Sequence, residues 1–374
     1  MGTLQSLEER IRTYALEIGY SAAGFAPADD FDEYIDIIND AGARYDWWKN
    51  GAREPMAWAR PAQKLAGTKS LIVLIYNSAQ VRFPAELCEK LGRIYQARCY
   101  FAQPGNINHA RLELMRGFLA DLGMQSTDAP WLPQRWAAQR SGLASFGKNT
   151  FAYASGLGSF IVITTLLVDR ELNYDEPCAV STCPEDCTLC IDACPTKALG
   201  APFELDPRRC IAFNNWMPQV SVIPREMRPL LGQRIHGCDY CQEACPRNKQ
   251  VLENNEKRPK DSLLELLVKE IEFDRLLHLS AEYYEQWVRP VMYNYITNLR
   301  LFQRNAAVAI GNSHDVRYLP DLARELSSES ELVRAHVAWA LGEIAGEEAR
   351  HLLQARLVVE EDESVRQEIV AALA

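Results

Sequence analysis

Nine of the chain's eleven cysteines lie between Cys178 and Cys245, and none follows. A stretch this rich in Cys, Pro and Gly has little room for regular elements, so its shape must come from what its thiols bind. In a chain expected to stay in the cytoplasm, that points to metal or redox work rather than to disulfides. The run CPEDCTLCIDACP sets Cys183, Cys187, Cys190 and Cys194 before Pro195; Cys210 stands alone; GCDYCQEACP sets Cys238, Cys241 and Cys245 before Pro246.

Spacing of this kind is that of two four-iron clusters held by C-x2-C-x2-C-x3-C-P runs, in which the last Cys of each run crosses to the other cluster. Three close thiolates wrap one face of a cube, and the remote one ties the two lobes together. One [4Fe–4S] cluster is thereby expected on Cys183, Cys187, Cys190 and Cys245, and the second on Cys210, Cys238, Cys241 and Cys194. The first gap holds three residues, Pro184 to Asp186, where the pattern has two. Cys178 is a conceivable substitute for Cys183. Zinc also takes C-x2-C pairs, but two endings of the form C-x2-C-x3-C-P favour iron–sulfur.

The 374 residues allow two or three domains. Before the cysteines, Leu4 to Ile18 has apolar residues at helical spacing and Gly19 as a stop, and Ala110 to Leu122 reads as a helix ended by Gly123. Ser70 to Tyr76 and Ser159 to Val168 read as buried strands. Helices and strands together predict an α/β layer domain over residues 1–170. A two-cluster, ferredoxin-like domain is expected over 171–260. From 261 to 374 the chain reads as helical, with an internal echo: RNAAVAIGN from Arg304, VRAHVAWALGEIAG from Val333 and VRQEIVAALA from Val365. Arg304, Arg334 and Arg366 lie 30 and 32 residues apart, a period like that of HEAT repeats; a plain helical bundle is the alternative. The fold class is thus α+β. A net charge of −10 argues against broad non-specific nucleic-acid binding. No apolar run approaches the ~20 residues of a membrane helix, and a cytoplasmic location is expected.

Gly142 to Thr150 (GLASFGKNT) nearly spells the phosphate loop G-x4-G-K-[ST]. Asn149 occupies the position that needs a hydroxyl for Mg²⁺, and the flanking order of strand and helix is wrong. ATP binding is therefore not expected. A glycine turn offering Lys148 to some other ligand remains open.

Thr127-Asp128-Ala129-Pro130, the run RWAAQRSGLASFGKNT, the two cysteine lobes with ELDPRRCIAF, and the phrase from Pro224 to Cys238 resemble the epoxyqueuosine reductase family. The resemblance extends into the tail through RNAAVAIGN. It implies an oxidoreductase related to reductive dehalogenases, with base-off cobalamin on the N-terminal domain and electrons arriving through the two clusters from an external low-potential donor. It further implies a tRNA partner, met at the anticodon stem-loop, whose epoxyqueuosine is reduced to queuosine. The family's proton donor maps onto Asp128, for which a helix N-cap before Pro130 is the structural alternative. Cys99, His109 and Arg60 match family positions near the corrin, and Lys148 is added as a candidate cofactor contact. Each of these side chains also has an ordinary core or surface reading, as do Tyr45, Trp47 and Trp48. Arg300, Arg304, His314, Arg317, Arg334 and His336 would supply a basic face for tRNA, unless they are paired within the repeats. A corrinoid reductase acting on a non-tRNA electrophile, and a non-catalytic two-cluster electron carrier, are the competing functions.

Overall fold

The run Ser70–Asn77 forms the central strand β2, and its continuous apolar character follows from cover on both faces. The computed structural model describes residues 5–97, 104–217, 220–292 and 298–374. Two compact units divide the chain. One is built from Met1–Gln80, Cys99–Pro207 and Tyr240–Arg258; the other from Val81–Arg98, Arg208–Asp239 and Pro259–Ala374.

In the first unit, β1 (Ala22–Pro27), β2, β3 (Ser126–Asp128) and β6 (Ile161–Val168) form a sheet of order β1-β2-β6-β3, antiparallel throughout. Helices α1 (Leu7–Glu17) and α2 (Ile107–Asp121) pack with its edge strands, and α3 (Gln134–Arg140) packs against β1, β2 and β6. Alternation along β2 sends Leu71, Val73 and Ile75 into one apolar core with Ala137 and Ala138 of α3 and Leu167 of β6.

Helix α1 starts at a capping box in which Ser6 and Glu9 satisfy each other's backbone N–H groups. It stops before Gly19, whose φ of 97° continues the chain in a left-handed turn. Helix α2 likewise gives way to Gly123 at φ 72°. Both strands and both helices lie where the apolar pattern put them, with ends moved by at most three residues. Between β3 and β6 a small hairpin pairs β4 (Ala144–Phe146) with β5 (Ala152–Ala154).

The second unit is dominated by repeat helices: α4 (Leu299–Ser313), α5 (Leu319–Glu325), α6 (Glu331–Ile344), α7 (Glu347–Val359) and α8 (Glu363–Leu373). α4 packs on α6 and α6 on α8, so the three echoed segments form one inner layer, as stacked helical repeats require. The layer is close-packed through small residues: a Cβ on Gly311 would lie 2.7 Å from the Trp339 ring.

The polar residues of RNAAVAIGN point inward. Arg304 is fully buried and donates to the carbonyls of Val220, Ser221 and Asn214. Asn305 donates to the carbonyls of Asn215 and Ile235 at 2.6 and 2.8 Å, and Asn312 to those of Arg228 and Gly232 at 2.8 Å each. Asn214, Asn215, Val220, Ser221, Arg228, Gly232 and Ile235 belong to no strand, and these side chains satisfy their carbonyls. No described helix is long and apolar enough to cross a membrane.

Candidate metal centre

In the first unit, Cys183, Cys187, Cys190 and Cys245 line a single cavity together with Lys148, Tyr153, Leu189 and Pro246. These are the four cysteines that the crossover pattern assigns to the first cluster. They surround a volume rather than a point; among the described residues no three His, Cys, Asp or Glu side chains converge on one ion. One thiolate at each corner of a four-iron cube is what such a cavity accommodates, whereas zinc draws its ligands to one centre. The donor set and the enclosing apolar residues therefore fit an iron–sulfur cluster.

Cys178 is not among the lining residues. Its backbone is held by Gln139, which takes its N–H at 2.9 Å and donates to its carbonyl at 2.5 Å. Cys183 sits on the cavity instead, on a segment sewn to β4: Ser181 Oγ donates to the Phe146 carbonyl at 2.8 Å and accepts the Cys183 N–H at 3.2 Å.

The hairpin turn between β4 and β5 forms one wall. Gly147 is required there, since a Cβ would come within 2.5 Å of the Tyr153 ring. The next residue, Lys148, is buried, and its ammonium donates to the carbonyls of Pro184, Glu185 and Cys187 at 2.8, 2.6 and 2.9 Å. All three protons of the sequence-predicted cofactor residue are thus used on the cysteine loop. Asn149 donates to Tyr153 Oη at 2.9 Å and to the Cys241 carbonyl at 3.1 Å. Arg247 lies over the Tyr153 ring at 4.2 Å. Burial pushes the Tyr153 phenol up, reinforced by the neighbouring Cys245 thiol. Tyr153, Asn149, Ser181 and Arg247 were not legible as site residues in the sequence; Asn149 lay in the near-phosphate-loop phrase and Ser181 and Arg247 beside the cysteines, and Tyr153 carried no signal.

The second cysteine set is divided. Cys194 and Cys241 belong to the first unit, Cys210 and Cys238 to the second. Burial pushes the Cys194 thiol up, but the Thr196 hydroxyl and the N–H groups of Leu199, Ala198 and Thr196 outweigh it and bring its pKa down, the state a metal ligand needs. In the second unit, Asn215 and Gly237 exchange two hydrogen bonds of 3.0 and 2.9 Å, which tie the helix after Cys210 to the turn before Cys238. Gly237 has φ 80°, and a Cβ there would strike the Tyr95 ring at 2.4 Å.

Asp128 is the last residue of β3, opposite Leu166, and is half-buried. No partner for its carboxylate occurs among the described residues. It caps no helix: residues 130–132 form a turn, and α3 begins at Gln134 after Pro133 with no side-chain cap. That turn carries Trp131, with the Arg53 guanidinium 4.4 Å over its ring. Arg60 lies 3.6 Å from Asp30 and reaches the Met56 carbonyl at 3.5 Å. His109 sits half-buried in the first turn of α2, its N–H capped by Asn106 at 2.9 Å. Cys99 lies outside the described residues.

The expected basic face is corrected at two of its positions: Arg304 and His336 are fully buried. Arg334 pairs with Glu360, whereas His314 is exposed and Arg317, 82% exposed, pairs with its neighbour Asp315. Residue type had assigned Arg304 and His336 to the surface, and inward-facing repeat positions hold them instead.

Residues 182–248 match the model of a 4Fe-4S double cluster binding domain, and residues 300–374 that of HEAT repeats. Among curated proteins, an epoxyqueuosine reductase of Vibrio cholerae is 30% identical over 95% of this chain and 96% of its own. One from Staphylococcus aureus is 29% identical over 99% of this chain and 97% of its own. Among solved structures, an epoxyqueuosine reductase with an epoxyqueuosine-modified tRNA stem loop superposes with a TM-score of 0.83, 25% identity and 98% of both chains covered. The enzyme from Bacillus subtilis gives 0.83 at 24% identity, again over 98% of both chains.

Proposed function

The chain belongs to the epoxyqueuosine reductase family, and from that premise we propose that it reduces epoxyqueuosine to queuosine in tRNA. The observation that carries this reading is the match to named reductases along nearly the whole of both chains. An isolated cluster module shared with electron carriers would match over the cysteine segment alone. The organisation proposed is an N-terminal catalytic domain, a two-cluster insert and a repeat domain, with the second cluster on Cys194, Cys210, Cys238 and Cys241.

Removing the epoxide oxygen to leave a C=C bond breaks both C–O bonds, consumes two electrons and two protons, and releases the oxygen as water. The clusters are one-electron carriers, and a cofactor at the substrate must gather what they deliver. Cobalamin is the cofactor we propose; bound, it would supply low-valent cobalt as the electron source for the epoxide. The chain's own task is then acid catalysis. Asp128 fits it: a half-buried carboxyl at a strand end, without an internal partner, is free to deliver a proton to the oxygen released. Trp131 and Arg53, stacked beside it, fit a role in holding the turn that follows Asp128. Arg60, His109 and Cys99 remain the proposed contacts nearest the corrin.

The test is anaerobically purified protein incubated with cobalamin, a chemical reductant and an epoxyqueuosine-modified tRNA stem loop. Queuosine formation in the wild type, with a loss of about 10²–10⁴-fold in Asp128→Asn at unchanged iron and cobalt content, is the expected result. A loaded wild-type protein that reduces a small electrophile and leaves the stem loop untouched would overturn the substrate.

A further inference from the structure

Lys148 brings a buried positive charge to the wall of the cavity shared by Cys183, Cys187, Cys190 and Cys245. No carboxylate lies within ion-pair distance of it among the described residues. Its three partners are neutral carbonyls, so its full charge stays uncompensated. Two of them, on Pro184 and Glu185, belong to the loop that is one residue longer than the usual pattern. The third belongs to Cys187 itself. The near-phosphate-loop phrase thus has a physical employment: its lysine gathers the enlarged loop between the first two cysteines.

On the same hairpin, Tyr153 lines the cavity together with Cys245, and Asn149 donates to its phenol oxygen at 2.9 Å, which leaves the phenol O–H to be offered to the cluster. A cation and a hydrogen-bond donor at a thiolate-bound cluster act in the same direction. Each stabilises the form with more negative charge, and in a poorly solvated site that preference is large.

We propose that Lys148 and Tyr153 are positioning residues that raise the reduction potential of the cluster on Cys183, Cys187, Cys190 and Cys245. The step they govern is the one-electron reduction of that cluster, with the electron supplied by an external low-potential donor and no proton or bond exchanged. The inference rests on the assignment of a cluster to these four cysteines.

The experiment is an EPR-monitored redox titration of the full chain with both clusters in place, comparing wild type, Lys148→Met, Lys148→Arg and Tyr153→Phe, with iron quantified in each. In Lys148→Met and in Tyr153→Phe, one of two midpoints is expected to move negative. For Lys148→Met the reduced-to-oxidised ratio at a fixed potential should change at least tenfold, about 59 mV for a one-electron couple. Lys148→Arg should restore most of it. Unshifted midpoints in Lys148→Met and Tyr153→Phe at full iron content would overturn the proposal. If Lys148→Met loses iron, Tyr153→Phe decides: a negative shift supports the tuning role and an unchanged midpoint overturns it. A wild-type protein without about eight irons per chain would remove the cluster assignment itself.

Discussion

Arg334 clasps Glu360 through two hydrogen bonds of 2.9 Å each, joining helix α6 to the residue that ends α7. Arg356 adds a third bond at 2.8 Å to the same carboxylate, whose side chain is 1% exposed. Burial alone would raise the Glu360 carboxyl; Arg334, the Asp362 N–H and Arg356 outweigh it and hold the pKa at about 2. Removing the charge leaves two guanidinium groups facing a neutral amide. We predict that Glu360→Gln destabilises the second unit by on the order of 3 kcal/mol. Because the folded pKa is depressed from 4.5, this contribution is complete above pH 4.5 and is lost as pH falls towards about 2. Thermal unfolding of wild type and variant across that range checks it; curves that stay parallel down to the acid limit would count against it.

His336 predicts a second acid effect at a higher pH. The ring is fully buried, donating through Nδ1 to the Leu332 carbonyl at 2.8 Å and accepting the Ile223 N–H at 3.3 Å. Burial first, then the facing Arg228 and Arg304, hold its pKa well below 6.5. The unfolded chain therefore takes up a proton that the folded one refuses. The stabilisation is present above pH 6.5 and falls away as the solution is acidified. His336→Gln should show a shallower loss of melting temperature between about pH 6.5 and 5 than wild type. Identical slopes would contradict this account.

Close packing at the α4–α6 crossing makes Gly311→Ala a third prediction. The added Cβ would meet the Trp339 ring at 2.7 Å and the Ala340 Cα at 2.9 Å, and the latter is backbone that cannot rotate away. A cost of about 1–3 kcal/mol is expected. A melting temperature equal to wild type would show that the helices separate freely.

Cys178 and Cys183 make a matched pair for the metal assignment. Cys183 lines the cavity and Cys178 does not. Cys183→Ser is expected to weaken or lose one cluster, about four irons per chain, while Cys178→Ser keeps them all. Iron quantitation under anaerobic purification reads the difference, and iron loss in Cys178→Ser would reverse the ligand choice.

Much of this architecture is legible in the sequence. Ser70–Asn77 and Ile161–Val168 announced themselves as strands because both faces are covered, and the repeat helices because their apolar positions recur. The cysteine spacing pointed to the cavity now lined by Cys183, Cys187, Cys190 and Cys245. Arg304 and His336 were misjudged for one reason: residue type suggests solvent, while their hydrogen-bond partners lie about 80 to 115 residues away in an irregular segment. Periodicity carries no record of such partners. The partners of Lys148 were no more legible, since the near-phosphate-loop phrase says nothing of carbonyls 36 to 39 residues onward. Asp128 owed its selection to family likeness, and the strand that ends on it was too short to be seen in the pattern.

The alternation of the chain between its two units imposes an order on biosynthesis. The first unit is complete once residue 258 has been made, its four cavity cysteines included. Residues 208–239, which carry Cys210 and Cys238, must wait for α4, because the carbonyls of Asn214, Asn215 and Ile235 have their partners in Arg304 and Asn305. At bacterial or eukaryotic synthesis speeds the delay lasts several seconds. During it, two thiols remain on a segment that lacks the side chains needed to hold its shape.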